Sequence, residues 1–306
     1  MLWPRSIHTR LYPELPDVRT DVETWCADEG IARPSDVLIA DFYLPMAEWV
    51  ADRAEDGALV LGINGAQGTG KSTLARLLKR LLERVYGMGV AVVSLDDLYL
   101  TAAERLRRAQ AIHPLLATRG VPGTHDVALG TRTIRALRAG KPLALPRFDK
   151  ARDDRLPVAQ WPRWSGPCDV VLFEGWCVGA RPQPRHELDQ PINDLERLED
   201  PRGDWRYYVN RELGGHYQDL FAEIDRLVML RPATFEHVFA WREQQEARLR
   251  EKGGGPQVMS PSEVRRFVMH FERLTRFMWE EMPGRADALV DLGDDHAPMQ
   301  VELGDG

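Results

Sequence analysis

This sequence of 306 residues has few cysteines, no long apolar run and no excess of positive charge. Its three cysteines, Cys26, Cys168 and Cys177, match no zinc-ligand spacing and are odd in number. We therefore expect buried thiols in the reducing cytoplasm instead of a disulfide framework or a structural metal site. No stretch reaches the roughly 18 apolar residues that a membrane-spanning helix needs, and the N-terminus lacks the apolar centre of a signal peptide. The sequence predicts a soluble cytoplasmic protein with no membrane partner.

Positive charge is limited as well. Lys and Arg number 40 against 47 Asp and Glu, so the formal net charge is −7 at pH 7. No run of five or six basic residues occurs, and the short clusters at 105–108 and 265–266 are typical of solvated helix faces. These features argue against a nucleic-acid partner, and they leave the oligomeric state open.

What the sequence does contain is a series of short apolar segments separated by helical patterns. Apolar runs predict buried strands at 58–63, 90–95, 170–173, 227–230 and 288–292. Short apolar strands that alternate with helices imply parallel crossovers. We therefore predict an α/β fold, with a doubly wound, mainly parallel sheet and helices on both faces.

The domain organisation follows from where this alternation begins. Residues 1–56 show helical spacing without strand alternation, so we predict an N-terminal helical extension, bent or divided at Pro45. We assign 57–306 to a single α/β domain with an irregular insert at 177–220. Near its end, Ser260 followed by Pro261 and Glu263 predicts the start of a long helix.

The strongest functional signal is a glycine-rich segment between the first strand and the next helix. It fits the pattern G-x-x-x-x-G-K-[ST] of a phosphate loop and reads Gly65-Ala66-Gln67-Gly68-Thr69-Gly70-Lys71-Ser72. Glycines let backbone N–H groups turn towards phosphate oxygens, and the helix N-terminus adds positive potential. We expect Lys71 to bridge the β- and γ-phosphates, Ser72 to ligate Mg²⁺ and Thr73 to assist. The segment predicts a P-loop NTPase fold that binds a nucleoside triphosphate with Mg²⁺.

Acidic residues follow two other predicted strands, at the ends where parallel sheets bind their ligands. Asp96 and Asp97 follow the second strand, and Glu174 follows the third. Asp96 can take the proton of an attacking hydroxyl or contact Mg²⁺ through water, whereas side-chain alternation favours a solvent-facing Asp97. Glu174 has the position of a Walker-B acid, and we expect it to hold the Mg²⁺ hydration shell or to orient the phosphate pocket.

Further motifs follow in a specific order between residues 42 and 282. They are Asp96-Asp97-Leu98-Tyr99, Thr118-Arg119-Gly120, Gly123-Thr124-His125-Asp126, Pro146-Arg147-Phe148-Asp149-Lys150, Phe173-Glu174-Gly175-Trp176 and the segment 193–210. With the phosphate loop, these motifs resemble the D-glycerate 3-kinase family and its bacterial kinase-like relatives. That family is related to uridine kinase, phosphoribulokinase and pantothenate kinase. The resemblance implies an ATP-dependent kinase that phosphorylates a hydroxyl of a small carboxylate-bearing metabolite, with D-glycerate as the leading acceptor.

The resemblance also implies roles for individual residues. Lys71 and Asp96 would be catalytic, and the acceptor would contact Tyr99, Arg119, His125, Asp126, Arg147, Asp149 and Lys150. A carboxylate acceptor needs a cation, and Arg119 or Arg147 could grip it with two hydrogen bonds. Phe148 stands where related kinases carry tyrosine, so that hydroxyl is absent. A lid is implied at 232–255, where Arg242 would reach the nucleotide phosphates and three glycines at 253–255 would form a hinge.

Two other interpretations stay open. The first is a kinase for another acceptor, such as a nucleoside, pantothenate or a sugar, because P-loop kinases change acceptor through loop substitutions. The second is a nucleotide-dependent switch or accessory ATPase that docks a protein through 181–215. Against the second stand the polar cluster at 119–150 and the lack of a guanine-specifying Asn-Lys-x-Asp motif.

Overall fold

The structure, a computed structural model, describes residues 2–3, 15–29, 32–54, 57–251 and 259–304 of the chain. Its strands are β1 (Leu59–Gly65), β2 (Val90–Ser94), β3 (Leu143–Ala144), β4 (Phe148–Asp149), β5 (Asp154–Arg155), β6 (Arg163–Trp164), β7 (Val170–Gly175), β8 (Arg226–Pro232), β9 (Ala288–Leu292) and β10 (Pro298–Leu303). Its helices are α1 (Leu15–Glu29), α2 (Asp36–Leu38), α3 (Leu44–Ala51), α4 (Lys71–Tyr86), α5 (Ala102–Ala111), α6 (Val127–Arg138), α7 (Asp194–Glu199), α8 (Asp204–Leu213), α9 (His216–Phe221), α10 (Phe235–Glu251) and α11 (Pro261–Glu281). The glycines predicted to form a hinge, at 253–255, lie outside the described residues. No described helix is both long and apolar enough to cross a membrane.

Six strands form the main sheet, in the order β2-β7-β1-β8-β9-β10. The first five run parallel, and β10 pairs antiparallel with β9. Glu174 near the end of β7 is paired with Ile63 of β1 on one side and with Ser94 of β2 on the other. The carboxyl ends of these three strands therefore lie side by side, at the edge where such sheets bind ligands.

All five strands predicted from the sequence are present, and the predicted α/β fold with a mainly parallel sheet is confirmed. The sequence analysis did not predict β10. Only Val301 is buried in this strand, so it lacks the continuous apolar run that identified the others. By pairing with β9 it covers an edge that would otherwise carry unpaired backbone groups.

Side chains of β1 alternate between two hydrophobic cores, one on each face of the sheet. Leu61 lies in the core covered by α4, which includes Leu78. Val60 lies in the opposite core, with Ile134 of α6 and Phe271 of α11. A strand buried on both faces requires this alternation, so the predicted helices on both faces are confirmed as well.

The described part of the N-terminal extension is helical. From α1, Val22 and Cys26 enter the same core as α4. A π-helical turn at Ile39–Tyr43 joins α2 to α3, and Pro45 lies in the first turn of α3. The division into 1–56 and 57–306 stays a prediction, because both segments contribute to this one core.

The segment 177–220 is more regular than the sequence predicts, and the prediction of an irregular insert is wrong from residue 194 onwards. It contains α7, α8 and most of α9. Buried ion pairs hold these helices in place, with Arg206 3.0 Å from Asp200 and Arg273 of α11 2.6 Å from Glu196. The helices also bury apolar side chains such as Trp205, but they are only 6 to 10 residues long. Helices this short show little of the apolar periodicity by which a sequence reveals a helix.

Candidate active site

The phosphate loop joins β1 to α4 in a conformation that its glycines permit. Gly68 and Gly70 have φ values of 85° and 82°, in the left-handed region that favours glycine. Thr69 closes the turn by donating its hydroxyl proton to the carbonyl of Ala66 at 2.9 Å. Gly70 caps α4 without a side-chain hydrogen bond, which leaves the first N–H groups of the helix for an anion. The segment 65–73 therefore has the form of a phosphate cradle.

Ser72 and Glu174 place two oxygens beside this cradle. The Ser72 hydroxyl donates to Oε1 of Glu174 at 3.0 Å, and Glu174 is buried at the end of β7. Hard oxygen donors suit Mg²⁺, which proteins commonly hold through one or two side chains together with substrate phosphates. Among the described residues, no group of three or more His, Cys, Asp or Glu side chains could hold a metal by itself. The pair therefore fits a Mg²⁺ site that phosphate oxygens would complete.

Asp96 lies in the 3₁₀ turn after β2, and both of its carboxylate oxygens have partners. Tyr99 donates its hydroxyl proton to Oδ1 at 2.7 Å, and Lys150 donates from Nζ to Oδ2 at 2.7 Å. Burial alone would raise the pKa of Asp96, but the charges of Lys150 and Lys71 and these two hydrogen bonds hold it below its usual range. Asp96 is therefore ionised at neutral pH, in one site with the ammonium group of Lys71.

Asp97, the next residue, binds a different segment. Its Oδ1 accepts the backbone N–H of Phe148 at 3.0 Å, and its Oδ2 accepts Nη1 of Arg147 at 3.2 Å. The same nitrogen of Arg147 also donates to the carbonyl of Pro146 at 2.7 Å. Asp97 is therefore occupied in holding β4, and the expectation that it faces solvent is wrong. The Arg147 guanidinium is engaged at the same junction.

Tyr99 and His125 form a buried wall next to Asp96. They share an isolated antiparallel bridge, and their rings stack with centroids 4.7 Å apart. The phenol oxygen of Tyr217 accepts the N–H of Gly123 at 3.0 Å and lies 2.6 Å from Nδ1 of His125, to which it can donate its own proton. Burial lowers the pKa of His125 to about 3, so the ring is neutral and carries its proton on Nε2. That nitrogen is buried without a partner among the described residues, so it can donate to a bound molecule.

Arg119 adds positive charge to the same region and is held there by Asp153. Its guanidinium forms an ion pair with Asp153, which also accepts Nη2 of Arg105 at 2.5 Å. Asp153 has a φ of 53°, which is uncommon for a residue other than glycine, in the turn between β4 and β5. The charge of Asp96 raises the pKa of Lys150, whereas the nearby charge of Arg119 lowers it. Arg119, Lys150 and Asp96 therefore belong to one charge cluster.

Two further predicted substrate residues, Asp126 and Asp149, have local partners. Asp126 caps α6 by accepting the N–H of Leu129 at 3.0 Å, and it forms an ion pair with Arg155 at 3.2 Å. Asp149 accepts the N–H of Ala151 at 2.9 Å in the turn after β4. Both carboxylates therefore have structural roles, Asp126 at the start of a helix and Asp149 in a turn. Their part in substrate binding stays a prediction.

Helix α10, in the predicted lid, contacts the phosphate loop directly. A Cβ added to Gly68 would lie 2.6 Å from Cβ of Trp241, so the helix leaves no room for a side chain there. Trp241 stacks on His296 at 4.2 Å, and Nδ1 of His296 lies 2.9 Å from the carbonyl oxygen of Gly68. Burial lowers the pKa of Arg242, whereas the charge of Glu246 raises it and that of Arg119 lowers it. Helix α10 therefore packs against the phosphate loop.

Sequence reasoning did not identify Tyr217, Asp153 or His296 as parts of the site. Their partners in the site lie 92, 34 and 228 positions away in the chain. No spacing rule connects residues at such separations, so the sequence contained no signal for them.

No protein-family model matches the chain, but comparisons with individual proteins find relatives. The chain is 32% identical over 295 residues to the chloroplastic D-glycerate 3-kinase of Arabidopsis thaliana, with 87% of this chain covered. It spans 62% of the length of that plant protein. It is 36% identical over 231 residues to the uncharacterized kinase mug58 of Schizosaccharomyces pombe, with 72% of this chain and 80% of that protein covered.

A solved structure extends this similarity to three dimensions. The D-glycerate 3-kinase of Cryptococcus neoformans var. grubii superposes with a TM-score of 0.74 at 26% identity. The superposition covers 85% of this chain and 98% of that chain. The resemblance found in the motifs is thus confirmed over most of the sequence and of the fold. The chain therefore belongs to one family of P-loop kinases with mug58, and its sequence and fold are similar to those of the D-glycerate 3-kinases.

Proposed function

We propose that this protein is a kinase that transfers the γ-phosphoryl group of ATP to a hydroxyl of D-glycerate. The observation that carries the proposal is the carboxylate of Asp96, held between Lys150 and Tyr99 next to the phosphate loop. A kinase needs a carboxylate in this position to orient its acceptor hydroxyl and accept the proton, and Asp96 is suited to that role. The names of the plant and fungal relatives supply the identity of the acceptor.

The nucleotide would bind through the cradle at 65–73. Its backbone N–H groups and Lys71 would contact the phosphate oxygens and stabilise the charge that spreads over the transferring group. Ser72 and Glu174 would hold Mg²⁺, which supplies charge neutralisation at the phosphates when it is bound. Arg242 of α10 would add a further positive charge from the lid.

Asp96 would orient the acceptor hydroxyl and accept its proton. A carboxylate with a lowered pKa is a weak base, which suits a loose phosphoryl-transfer step in which the hydroxyl loses its proton late. Burial and the charge of Asp96 raise the pKa of Tyr99 well above 10, so its hydroxyl stays protonated and keeps the carboxylate oriented. Lys150 donates to the other oxygen and keeps Asp96 ionised.

The acceptor carboxylate would bind to Arg119, with His125 as a neutral donor beside it. Of the two arginines predicted for this role, Arg119 belongs to the charge cluster around Asp96. Each arginine already pairs with one carboxylate, Arg119 with Asp153 and Arg147 with Asp97, but Arg147 is also held at the β4 junction by the carbonyl of Pro146. A planar guanidinium can grip a carboxylate with two hydrogen bonds, and the Nε2–H of His125 could add a third.

ADP release with Mg-ATP, measured with and without D-glycerate, tests the proposal. We expect turnover that depends on glycerate and is lost in Lys71→Ala, by about 10²-fold or more. Glycerol has the hydroxyls without the carboxylate, and we expect its kcat/KM to be at least about 10²-fold lower. Turnover only with a nucleoside, pantothenate or a sugar would show that the acceptor is that compound and not D-glycerate. If a protein partner stimulated ADP release and no small acceptor did, the result would favour a switch or accessory ATPase.

We also propose that the protein works in a reducing compartment such as the cytoplasm. Cys26, Cys168 and Cys177 are all free and buried. Burial raises the pKa of Cys168, and this keeps it as a thiol at neutral pH. Titration of freshly isolated, denatured protein with a thiol reagent should detect three free thiols, and a disulfide-linked pair would contradict the assignment.

A further inference from the structure

Glu246 is a buried carboxylate one helical turn after Arg242 on α10. It is only 2% exposed, and both of its oxygens have partners. Oε1 forms an ion pair with Nη2 of Arg242, and Oε2 accepts the backbone N–H of Met259 at 3.0 Å. Met259 directly precedes the Ser260 cap of α11, so one side chain joins the lid helix, its arginine and the start of the next helix.

The guanidinium of Arg242 lies over Phe267, which packs against the apolar cluster that contains Ala66 of the phosphate loop. Its neighbour Trp241 packs on Gly68 of the phosphate loop, and Arg119 of the charge cluster is close enough to lower its pKa. The Arg242 side chain is 18% exposed and lies over the ring of Phe267, with Cζ 5.6 Å from the ring centroid. A cation in this position is largely enclosed, and the charge of Arg119 acts on it.

Physical chemistry does not favour such a position for an arginine without a counter-charge. Repulsion from Arg119 and the loss of hydration would both drive the long side chain of Arg242 towards solvent. Immobilising that side chain also costs rotamer entropy. An ion pair that already exists in the free enzyme offsets this cost before the substrates bind. Of the carboxylates in the described residues, Glu246 is the one that forms an ion pair with Arg242.

We infer that Glu246 is a positioning residue that holds the guanidinium of Arg242 between the phosphate loop and the acceptor cations. The inference rests on the proposed function, in which Arg242 contributes charge to phosphoryl transfer. Glu246 itself touches neither substrate. It acts on the reaction only through Arg242, and through Met259 it links the lid helix to α11.

A double-mutant cycle of Glu246→Gln and Arg242→Ala tests the inference. The amide of Glu246→Gln keeps an acceptor for the N–H of Met259 and removes only the charge. We expect it to lower kcat about tenfold, with a change in KM for ATP of less than about threefold. The double variant should be no slower than Arg242→Ala alone, because the carboxylate acts through the arginine. Glu246→Asp keeps the charge and should have a kcat between those of Glu246→Gln and the wild type. If Glu246→Gln fails to fold, Glu246→Asp takes its place in the cycle.

Glu272→Gln is the matched control. Glu272 also pairs with an arginine four residues away, Arg276, and also accepts a second donor, Asn193 at 3.1 Å, but it lies on α11 outside the site. We expect it to leave kcat within about twofold. Thermal unfolding of every variant separates a general loss of stability from a change in kcat.

Three results would overturn the inference. They are an unchanged kcat in Glu246→Gln, losses that multiply in the double variant, and an Arg242→Ala variant with the kcat of the wild type. Each variant is measured both with D-glycerate and for slow ATP hydrolysis with water as acceptor. A wild type that hydrolyses ATP but ignores glycerate would refute the proposed acceptor, and the cycle would still decide the role of Glu246.

Discussion

Nζ of Lys150 lies 2.7 Å from Oδ2 of Asp96, although 54 positions separate the two residues in the chain. The contact joins the turn after β2 to the segment between β4 and β5. It leaves Asp96 ionised, and the hydroxyl of Tyr99 on the other oxygen sets the orientation of the carboxylate. The state of the proposed base therefore depends on a loop that lies outside the main sheet.

Replacing Lys150 with Met should change both the rate and its pH dependence. The positive charge of Lys150 lowers the pKa of Asp96, so its removal should let that pKa rise. In the wild type, the acid limb of the kcat/KM profile that Asp96 causes should lie below the normal range of a carboxyl group. In Lys150→Met it should move to higher pH, with kcat about 10²-fold lower. Arg152→Met, at an exposed residue in the same loop, is the control, and an acid limb at the same pH in Lys150→Met would contradict the prediction.

The two arginines predicted for the acceptor carboxylate should respond differently to replacement. Arg119→Met should raise KM for the acceptor about tenfold or more, because a charge-assisted pair with the carboxylate is lost. Arg147→Met should leave that KM within about threefold and lower stability instead, because Asp97 loses a partner at the β4 junction. Steady-state kinetics and thermal unfolding of both variants measure these effects. A larger effect on KM in Arg147→Met would reverse the assignment.

The oxygen pair of Ser72 and Glu174 should govern the dependence on Mg²⁺. Ser72→Ala and Glu174→Gln each remove one ligand or its charge, so the Mg²⁺ concentration for half-maximal rate should rise in both. We expect kcat to fall by about 10²-fold. Rate measurements over a Mg²⁺ titration at constant ATP test this. Half-saturation at the wild-type Mg²⁺ concentration in both variants would rule out the proposed site.

Gly68→Ala should disrupt the contact between the phosphate loop and the lid helix. The new Cβ would require a left-handed backbone and would lie 2.6 Å from Cβ of Trp241. We expect a loss of stability of about 2–4 kcal/mol and at least tenfold weaker ATP binding. Gly140→Ala is the control, because Gly140 has a φ of 62° with no atom within 4 Å of the added Cβ. It should lose only about 1 kcal/mol, and equal losses in the two variants would show that the contact with Trp241 does not matter.

Buried, neutral His270 should make the protein less stable in mild acid. Burial and the charge of Arg266 lower the pKa of His270 to about 4, whereas in the unfolded chain it is about 6.5. Between these values the unfolded chain binds a proton that the folded chain does not, so stability falls as the pH drops from 7 towards 4. From pH 7 to pH 5 the wild type should lose about 1–2 kcal/mol more than His270→Leu.

Denaturant unfolding of both proteins at the two pH values measures this difference. His186→Leu, at an exposed histidine, is the control and should lose as much stability as the wild type. Parallel curves for the wild type and His270→Leu would contradict the assignment.

Sequence patterns were sufficient to predict the parts of this protein that depend on contiguous residues. The phosphate loop, the five apolar strands and the capping box at Ser260 each lie within one short segment, where backbone geometry and apolar pattern act locally. Because parallel strands align their carboxyl ends, the grouping of Ser72, Asp96 and Glu174 also followed from local patterns.

The partners of the charged groups, by contrast, follow from the three-dimensional packing alone. Asp97 binds the β4 junction with Arg147, Asp153 holds Arg119, and Tyr217 sets the tautomer of His125. The short helices in 177–220 were not predicted either, and buried ion pairs as well as apolar contacts hold them in place. Such pairings depend on how elements far apart in the chain pack against one another. Local propensity and spacing contain no information about that packing.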